Sequence, residues 1–228
     1  MESDEPSLEL SEPPGGSTGY DRISRFYDSL SAPGEKRFTQ RGLELLAPAR
    51  GESVLEIGFG TGRALVALAR AVGDSGRVYG IDISEGMMHV TQNRLDKAGL
   101  IGQVVLEQGH AAQLPFEPSF FDAIFMSFTL ELFSEKAIPR VLAECKRVLK
   151  TDGRLGIVSM SESDPPTLAQ RIYFWGHKSM PGIFDCRPIP LVRLLQKNGF
   201  AIQTQVEDRM GGIPVSMVVA HPVFHPEA

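Results

Sequence analysis

Residues 54–70, VLEIGFGTGRALVALAR, constrain the fold more than any other stretch of the chain. A short apolar run carries Glu56, glycines stand at alternate positions 58, 60 and 62, and an apolar stretch of helical period follows. Strand, glycine turn and helix in that order put the turn at the carboxyl edge of an open α/β sheet, where ligands of such sheets bind. Glycine permits a tight backbone and close approach of a ligand, and the helix start offers free N–H groups. The strict dinucleotide fingerprint requires glycine where Arg63 stands, and the Walker pattern requires a Lys-Ser/Thr pair that does not follow. Read alone, the stretch leaves the ligand open among a dinucleotide, a nucleotide phosphate and a group without phosphate.

The rest of the chain continues the alternation. Strands are expected at 53–57, 77–82, 103–107, 121–126 and 154–160, and helices at 62–72, 85–98 and 139–150. Pro139 suits a first helical turn, Ser84 an N-cap and Gly99 a stop. Such a rhythm predicts a doubly wound, mainly parallel sheet. Before it, 21–30 and 35–47 show helical spacing, with Pro33 and Gly34 read as a break between them. After residue 160 the rhythm stops. Residues 161–187 form an insertion with the only tryptophan, Trp175, partly helical around 167–177; a helix at 189–198 follows. Strands at 200–207 and 213–220, joined through Met-Gly-Gly, are expected to pair antiparallel. The fold class is therefore α/β: a Rossmann-like, doubly wound, seven-stranded sheet with an antiparallel C-terminal hairpin.

The chain has 228 residues, enough for one domain with a short tail. We place a disordered tail at 1–19, rich in Pro, Gly, Ser and acid, and a single domain at 20–228, with a helical lid at 20–47. A net charge of −5 argues against nucleic-acid binding, which relies on Lys and Arg at phosphates. No apolar run reaches the roughly 20 residues a membrane span needs, and the start lacks a signal-peptide pattern, so a cytoplasmic location is expected. Cys145 and Cys186 give no disulfide framework and no zinc spacing.

Several further motifs lie in order along the chain: VYGIDIS at 78–84, GHAAQLPF at 109–116, FDAIFMSFTLELF at 121–133 and KRVLKTDGRL at 146–155. With EIGFGTG at 56–62, the chain from about Tyr20 to Pro222 resembles the class I S-adenosylmethionine-dependent methyltransferases, and within them the small-molecule branch that includes the ubiquinone/menaquinone-biosynthesis enzymes. The resemblance implies S-adenosyl-L-methionine as cofactor, a ligand with a ribose and an amino acid but no phosphate. Asp82 is then the acceptor for the ribose hydroxyls, Glu56 fixes the loop and the amino end of the ligand, and Ile83 and Met87 pack on adenine. Gly58, Phe59, Gly60, Thr61, Gly62 and Ser127 complete the binding set, with Tyr27 closing over it. His110 stands where many relatives carry Asp; the adenine contact comes either from His110 as the neutral tautomer or instead from the backbone of Ala111, with a plain surface histidine as the alternative reading of His110.

The methyl acceptor is expected to be a small molecule, aromatic or lipidic, held by three parts. These are the N-terminal helix (Arg22, Phe26, Tyr27, Asp28), the segment after the fourth strand (Ser127, Phe128, Leu130, Glu131) and the insertion (Tyr173, Phe174, Trp175, His177, Asp185, Cys186, Arg187). Candidate bases are His177, Glu131 and Asp185, each with a plain structural alternative; for Asp185 that alternative is an ion pair with Arg187. Thr151–Asp152 and Ser159 depart from the quinone enzymes' local signature, which argues against quinone specificity without touching methyl transfer. The competing readings are a methyltransferase of protein or RNA, a non-catalytic cofactor-binding module, and a nicotinamide oxidoreductase. The acidic charge and the absence of an Asn-Pro-Pro-Tyr-type motif at 126–129 weigh against the first, and Arg63 with the closing hairpin against the last.

Overall fold

A computed structural model describes residues 33–162 and 187–224. The expected N-terminal tail, the 21–30 helix and the 163–186 part of the insertion lie outside the described residues.

The described chain runs α1 (Pro33–Leu46), β1 (Ser53–Ile57), α2 (Arg63–Val72), β2 (Arg77–Asp82), α3 (Glu85–Lys97), β3 (Val104–Gln108), β4 (Phe121–Ser127), a single 3₁₀ turn (Leu130–Leu132), α4 (Ile138–Val148), β5 (Leu149–Met160), α5 (Leu191–Lys197), β6 (Phe200–Met210) and β7 (Ile213–Pro222). Seven strands form one sheet in the order β3-β2-β1-β4-β5-β7-β6. The pairs from β3 to β5 are parallel, and β7 runs antiparallel to both β5 and β6. The strand order reverses between β1 and β4, which is the switch point where an open α/β sheet leaves a crevice at its carboxyl edge.

Alternation along the strands feeds two apolar layers. Leu55, Ile57, Ile124, Met126, Leu155 and Ile157 face α4 and α5. Val54, Ala123, Phe125 and Val158 face α1, α2 and α3. Both faces are covered, so the central strands read as near-continuous apolar runs.

Two element bounds differ from the sequence reading, each for a local reason. α1 begins at Pro33 rather than at 35, with Pro33 in its first turn, where its missing N–H goes unneeded. β5 begins at Leu149 rather than 154, because Phe121 pairs with Leu149, the register then slips, and Ala123 pairs with Arg154. The expected antiparallel C-terminal hairpin closes the sheet at its edge, with β7 against β5 and β6 outermost.

Helix α1 is fixed to the sheet at its C-terminal end and at its middle. The Arg154 guanidinium donates to the Leu46 and Ala47 carbonyls at 2.7 and 2.9 Å and pairs with Glu52 at 2.8 Å. Near the carboxyl edge, the Thr39 and Ser127 hydroxyls bond at 2.7 Å. This places the first turn of α1, with Glu35, near the end of β4.

Candidate functional site

The site grows from the end of β1. Gly58, Gly60 and Gly62 have φ of +72°, +48° and +75°, the left-handed region that glycine enters freely. Gly58 N–H donates to the Ile81 carbonyl at 2.8 Å, tying the loop to β2. Gly60 N–H donates to Asp82 Oδ2 at 2.8 Å, and Ser84 N–H donates to Asp82 Oδ1 at 3.0 Å. The Ile83 N–H also acts on this carboxylate, whose two oxygens together offer about four acceptor sites. A Cβ placed on Gly60 would meet nothing within 4 Å, so the loop crest borders open space.

Glu56 lies beneath the loop, 3% exposed, and its Oε2 has no hydrogen-bond partner among the described residues. Burial pushes its carboxyl well above the usual range, and the neighbouring Asp82 carboxylate pushes the same way; the Leu65 N–H opposes both. Asp82 is also raised, chiefly by burial, against the pull of backbone N–H groups. Two close carboxyls under a glycine loop disfavour a phosphate and favour a cationic or hydrogen-donating ligand. The residues therefore fit a ligand with an ammonium and a ribose diol. A buried carboxylate oxygen without a donor is the kind of group that such a ligand satisfies.

The α3 helix supports the loop from behind, which sequence reasoning missed. Thr91 hydroxyl donates to the Gly60 carbonyl at 2.8 Å. Arg94 donates to the Thr61 carbonyl at 2.7 Å and the Thr61 hydroxyl at 3.0 Å. Thr91 is fully buried although polar. A Cβ on Gly62 would stand 2.6 Å from Thr91 Cγ2, so the two residues fit only as a pair. The sequence signal was a threonine on the inward face of a helix, one turn before an arginine. Arg94→Ala is expected to lower affinity for S-adenosylhomocysteine by about tenfold, because charge-assisted bonds of this kind contribute about 1.5–3 kcal/mol and the loop refolds in part. Titration calorimetry checks this, and unchanged affinity would remove Arg94 from the site.

The other expected residues fall in distinct places. Phe59 is 4% exposed and turns into the core, where its ring edge would lie 2.8 Å from a Cβ on Gly80. Met87 is 3% exposed and belongs to the same layer, whereas Ile83 is 40% exposed. Ala111 is buried, and the Ser127 hydroxyl is engaged with Thr39. His110 Nδ1 accepts from Ala112 N–H at 3.0 Å, so the neutral ring carries its proton on Nε2 and presents a donor. Burial first, then Arg140, holds its pKa below the ordinary histidine value. Tyr27, His177 and Asp185 lie outside the described residues, as do the other expected pocket residues of the N-terminal helix and Tyr173, Phe174, Trp175 and Cys186. Arg187 pairs with Glu135 at 2.7 Å.

After β4 the chain turns sharply. Phe128 has φ of +53°, a strained conformation for an aromatic residue that costs about 1–3 kcal/mol. The turn sets the Thr129 side chain against Gly58 and carries Glu131 inside at 1% exposure.

Comparison with known proteins agrees with this geometry. The family described as "Methyltransferase domain" matches residues 54–153. Nocamycin O-methyltransferase of Saccharothrix syringae is 33% identical over 151 residues, 66% of this chain and 52% of that protein. The ubiquinone/menaquinone biosynthesis C-methyltransferase UbiE of Saccharophagus degradans is 34% identical over 146 residues, 64% of this chain and 57% of that protein. The chain thus spans little more than half the length of these curated relatives. Among solved structures, a SAM-dependent methyltransferase from Aquifex aeolicus matches with a TM-score of 0.66 at 25% identity, covering 88% of this chain and 98% of that one.

Proposed function

We propose that the chain is a class I S-adenosylmethionine-dependent methyltransferase and that it transfers the methyl group of S-adenosyl-L-methionine to a small-molecule acceptor. One observation carries the cofactor assignment: the loop of Gly58 to Gly62 stands over two close carboxyls, half-buried Asp82 and buried Glu56, the latter with an oxygen lacking a donor among the described residues. Glu56 takes the amino end of the cofactor, and Asp82 accepts from the ribose hydroxyls. The loop N–H groups and the α2 start border the amino-acid part. His110, presenting Nε2–H, donates to an adenine ring nitrogen rather than accepting from its amino group. Ile83, the more exposed of the two apolar candidates, covers one adenine face.

The bound cofactor supplies an electrophilic methyl on a sulfonium. The chain's share of the work is to hold the acceptor in line with that methyl and to keep water away. Strained Phe128 and the residues after it supply the acceptor side, because they leave β4 next to the loop. Both curated relatives carry names that describe methylation of small molecules, which supports the acceptor class.

Calorimetry with S-adenosylhomocysteine and with NAD tests the reading, and preference for NAD overturns it. Asp82→Ala is expected to weaken S-adenosylhomocysteine binding by about tenfold to a hundredfold, from loss of about 1–3 kcal/mol in charge-assisted bonds. Unchanged affinity would remove Asp82 from the ribose site.

A further inference from the structure

Glu131 is the buried carboxyl that the cofactor reading does not use. It lies in the 3₁₀ turn after β4, two residues beyond Thr129, whose side chain fills the space beside Gly58. Its Oε1 accepts from Met160 N–H at 3.1 Å. Its Oε2 is buried without a hydrogen-bond partner among the described residues. The Ser159 hydroxyl of β5 donates to the Met160 carbonyl at 3.0 Å and lies close enough to the carboxyl to favour its ionised form, and Glu35 of α1 is the carboxyl's charged neighbour. Thr39, one turn along α1 from Glu35, holds Ser127 at the end of β4. Glu35, Ser127 and Glu131 thus bracket the β4 end on the side of the glycine loop.

A structural brace for Met160 N–H needs one acceptor oxygen, and a glutamine provides it without burying an ionisable group. The second oxygen has no structural use within the described fold. Unpartnered buried carboxylate oxygens cost folding free energy and mark places where a donor arrives.

We infer that Glu131 accepts a proton from the methyl acceptor, and that the acceptor carries an acidic hydroxyl of the phenol or enol class. The inference rests on the methyl-transfer reading. In the step, the acceptor O–H bond breaks and its proton goes to Glu131 Oε2. An oxygen lone pair forms the new O–CH₃ bond, the S–CH₃ bond breaks, and its electron pair stays on sulfur. The products are a methyl ether, a neutral thioether and protonated Glu131, which returns its proton to water.

Two physical points favour the hydroxyl. Burial pushes the Glu131 carboxyl up to about 7, against the pull of its own backbone, Met160 and Ser159, with Glu35 adding to the rise. That lies within reach of a phenol near 10, but far from an ordinary alcohol or water near 16. An acceptor oxyanion is also drawn to the sulfonium, whereas an ammonium acceptor is repelled by it.

The test offers S-adenosylmethionine with nitrophenol, hydroquinone, a cyclic diketone in its enol form, benzylamine and thiophenol, and follows release of S-adenosylhomocysteine. Turnover is expected with the hydroxyl probes. Glu131→Gln is expected to lower their kcat by about a hundredfold, with S-adenosylhomocysteine affinity within about threefold of the parent, which reports an intact fold. Glu131→Asp is expected to recover part of the rate. The parent kcat/KM is expected to rise with pH through about 7, and the glutamine variant to lose that rise. Turnover confined to the amine or thiol, turnover of none of the probes, an undiminished kcat in the glutamine variant, or loss of its S-adenosylhomocysteine affinity each overturns the inference. If the parent fails to bind S-adenosylhomocysteine, the methyl-transfer reading itself falls.

Discussion

Gly58→Ala is expected to destabilise the protein by about 2–5 kcal/mol and to abolish measurable binding of S-adenosylhomocysteine. Two costs add. Gly58 has φ of +72°, where any other residue pays about 1–2 kcal/mol. A Cβ there would also stand 2.6 Å from Thr129 Oγ1 and 3.0 Å from Thr129 Cβ, an overlap worth about 1–3 kcal/mol. Relief requires moving Thr129, and Thr129 anchors the turn that carries Glu131. Adding Thr129→Ala removes the hydroxyl and methyl and is expected to restore part of the stability, a coupling that a double-mutant cycle reads directly. Gly60→Ala is the contrasting case. Its Cβ meets nothing within 4 Å, so only the left-handed backbone at φ +48° costs stability, about 1–2 kcal/mol; it is expected to unfold at a urea midpoint between those of the parent and Gly58→Ala, while binding S-adenosylhomocysteine less well because the methyl enters the space over the loop. Parent-like stability and affinity in Gly58→Ala would sink the account of the loop.

The scaffold was legible because its signal is periodic and local. Val54, Leu55 and Ile57, or Ala123 to Met126, are apolar on both faces and bounded by turn residues, so they announce central parallel strands. Ser84 was readable as a cap because a hydroxyl before a helical run has few other uses, and it does accept from Met87 N–H at 3.2 Å. Glycines 58, 60 and 62 with Glu56 and Asp82 were readable because left-handed backbone and a carboxyl at a strand end narrow the residue types. What escaped was whatever depends on contacts distant in the chain. Thr91 shares the inward face of α3 with Met87 and Leu95, but its packing on Gly62, distant in the chain, is not announced by that local pattern. The early start of β5 depends on a register slip opposite Phe121 and Ala123, which no local pattern announces. The hydrogen-bonding role of His110 was not legible, because only the Ala112 N–H at its Nδ1 fixes the ring as a donor. The position of β7 between β5 and β6 is a choice among antiparallel arrangements that two strands and a Met-Gly-Gly link do not decide.

Relative to Glu131→Gln, the parent protein is expected to lose about 2–3 kcal/mol of folding stability as the pH rises from about 5 to about 8. The sign follows from which state holds the proton. In the unfolded chain Glu131 ionises near 4.5, whereas in the fold burial raises it to about 7. Below about 4.5 both states are protonated and the group is neutral in its effect. Between these values the unfolded state releases its proton while the folded state keeps it, so stability falls with each step of pH. Above about 7 both states are ionised, and the loss levels off. A shift of that size corresponds to about 3 kcal/mol in full, most of it between about pH 5 and 8. The glutamine variant has no such titration, and contributions from Glu56 and Asp82 are common to both proteins. Urea unfolding of the two proteins across that pH range gives the difference, whatever fixed amount the amide adds or removes by itself. A difference that stays constant with pH would show that Glu131 ionises alike in both states. A carboxyl so placed is held neutral in acid and charged above neutrality, so the same titration that weakens the fold supplies the base for an acidic hydroxyl.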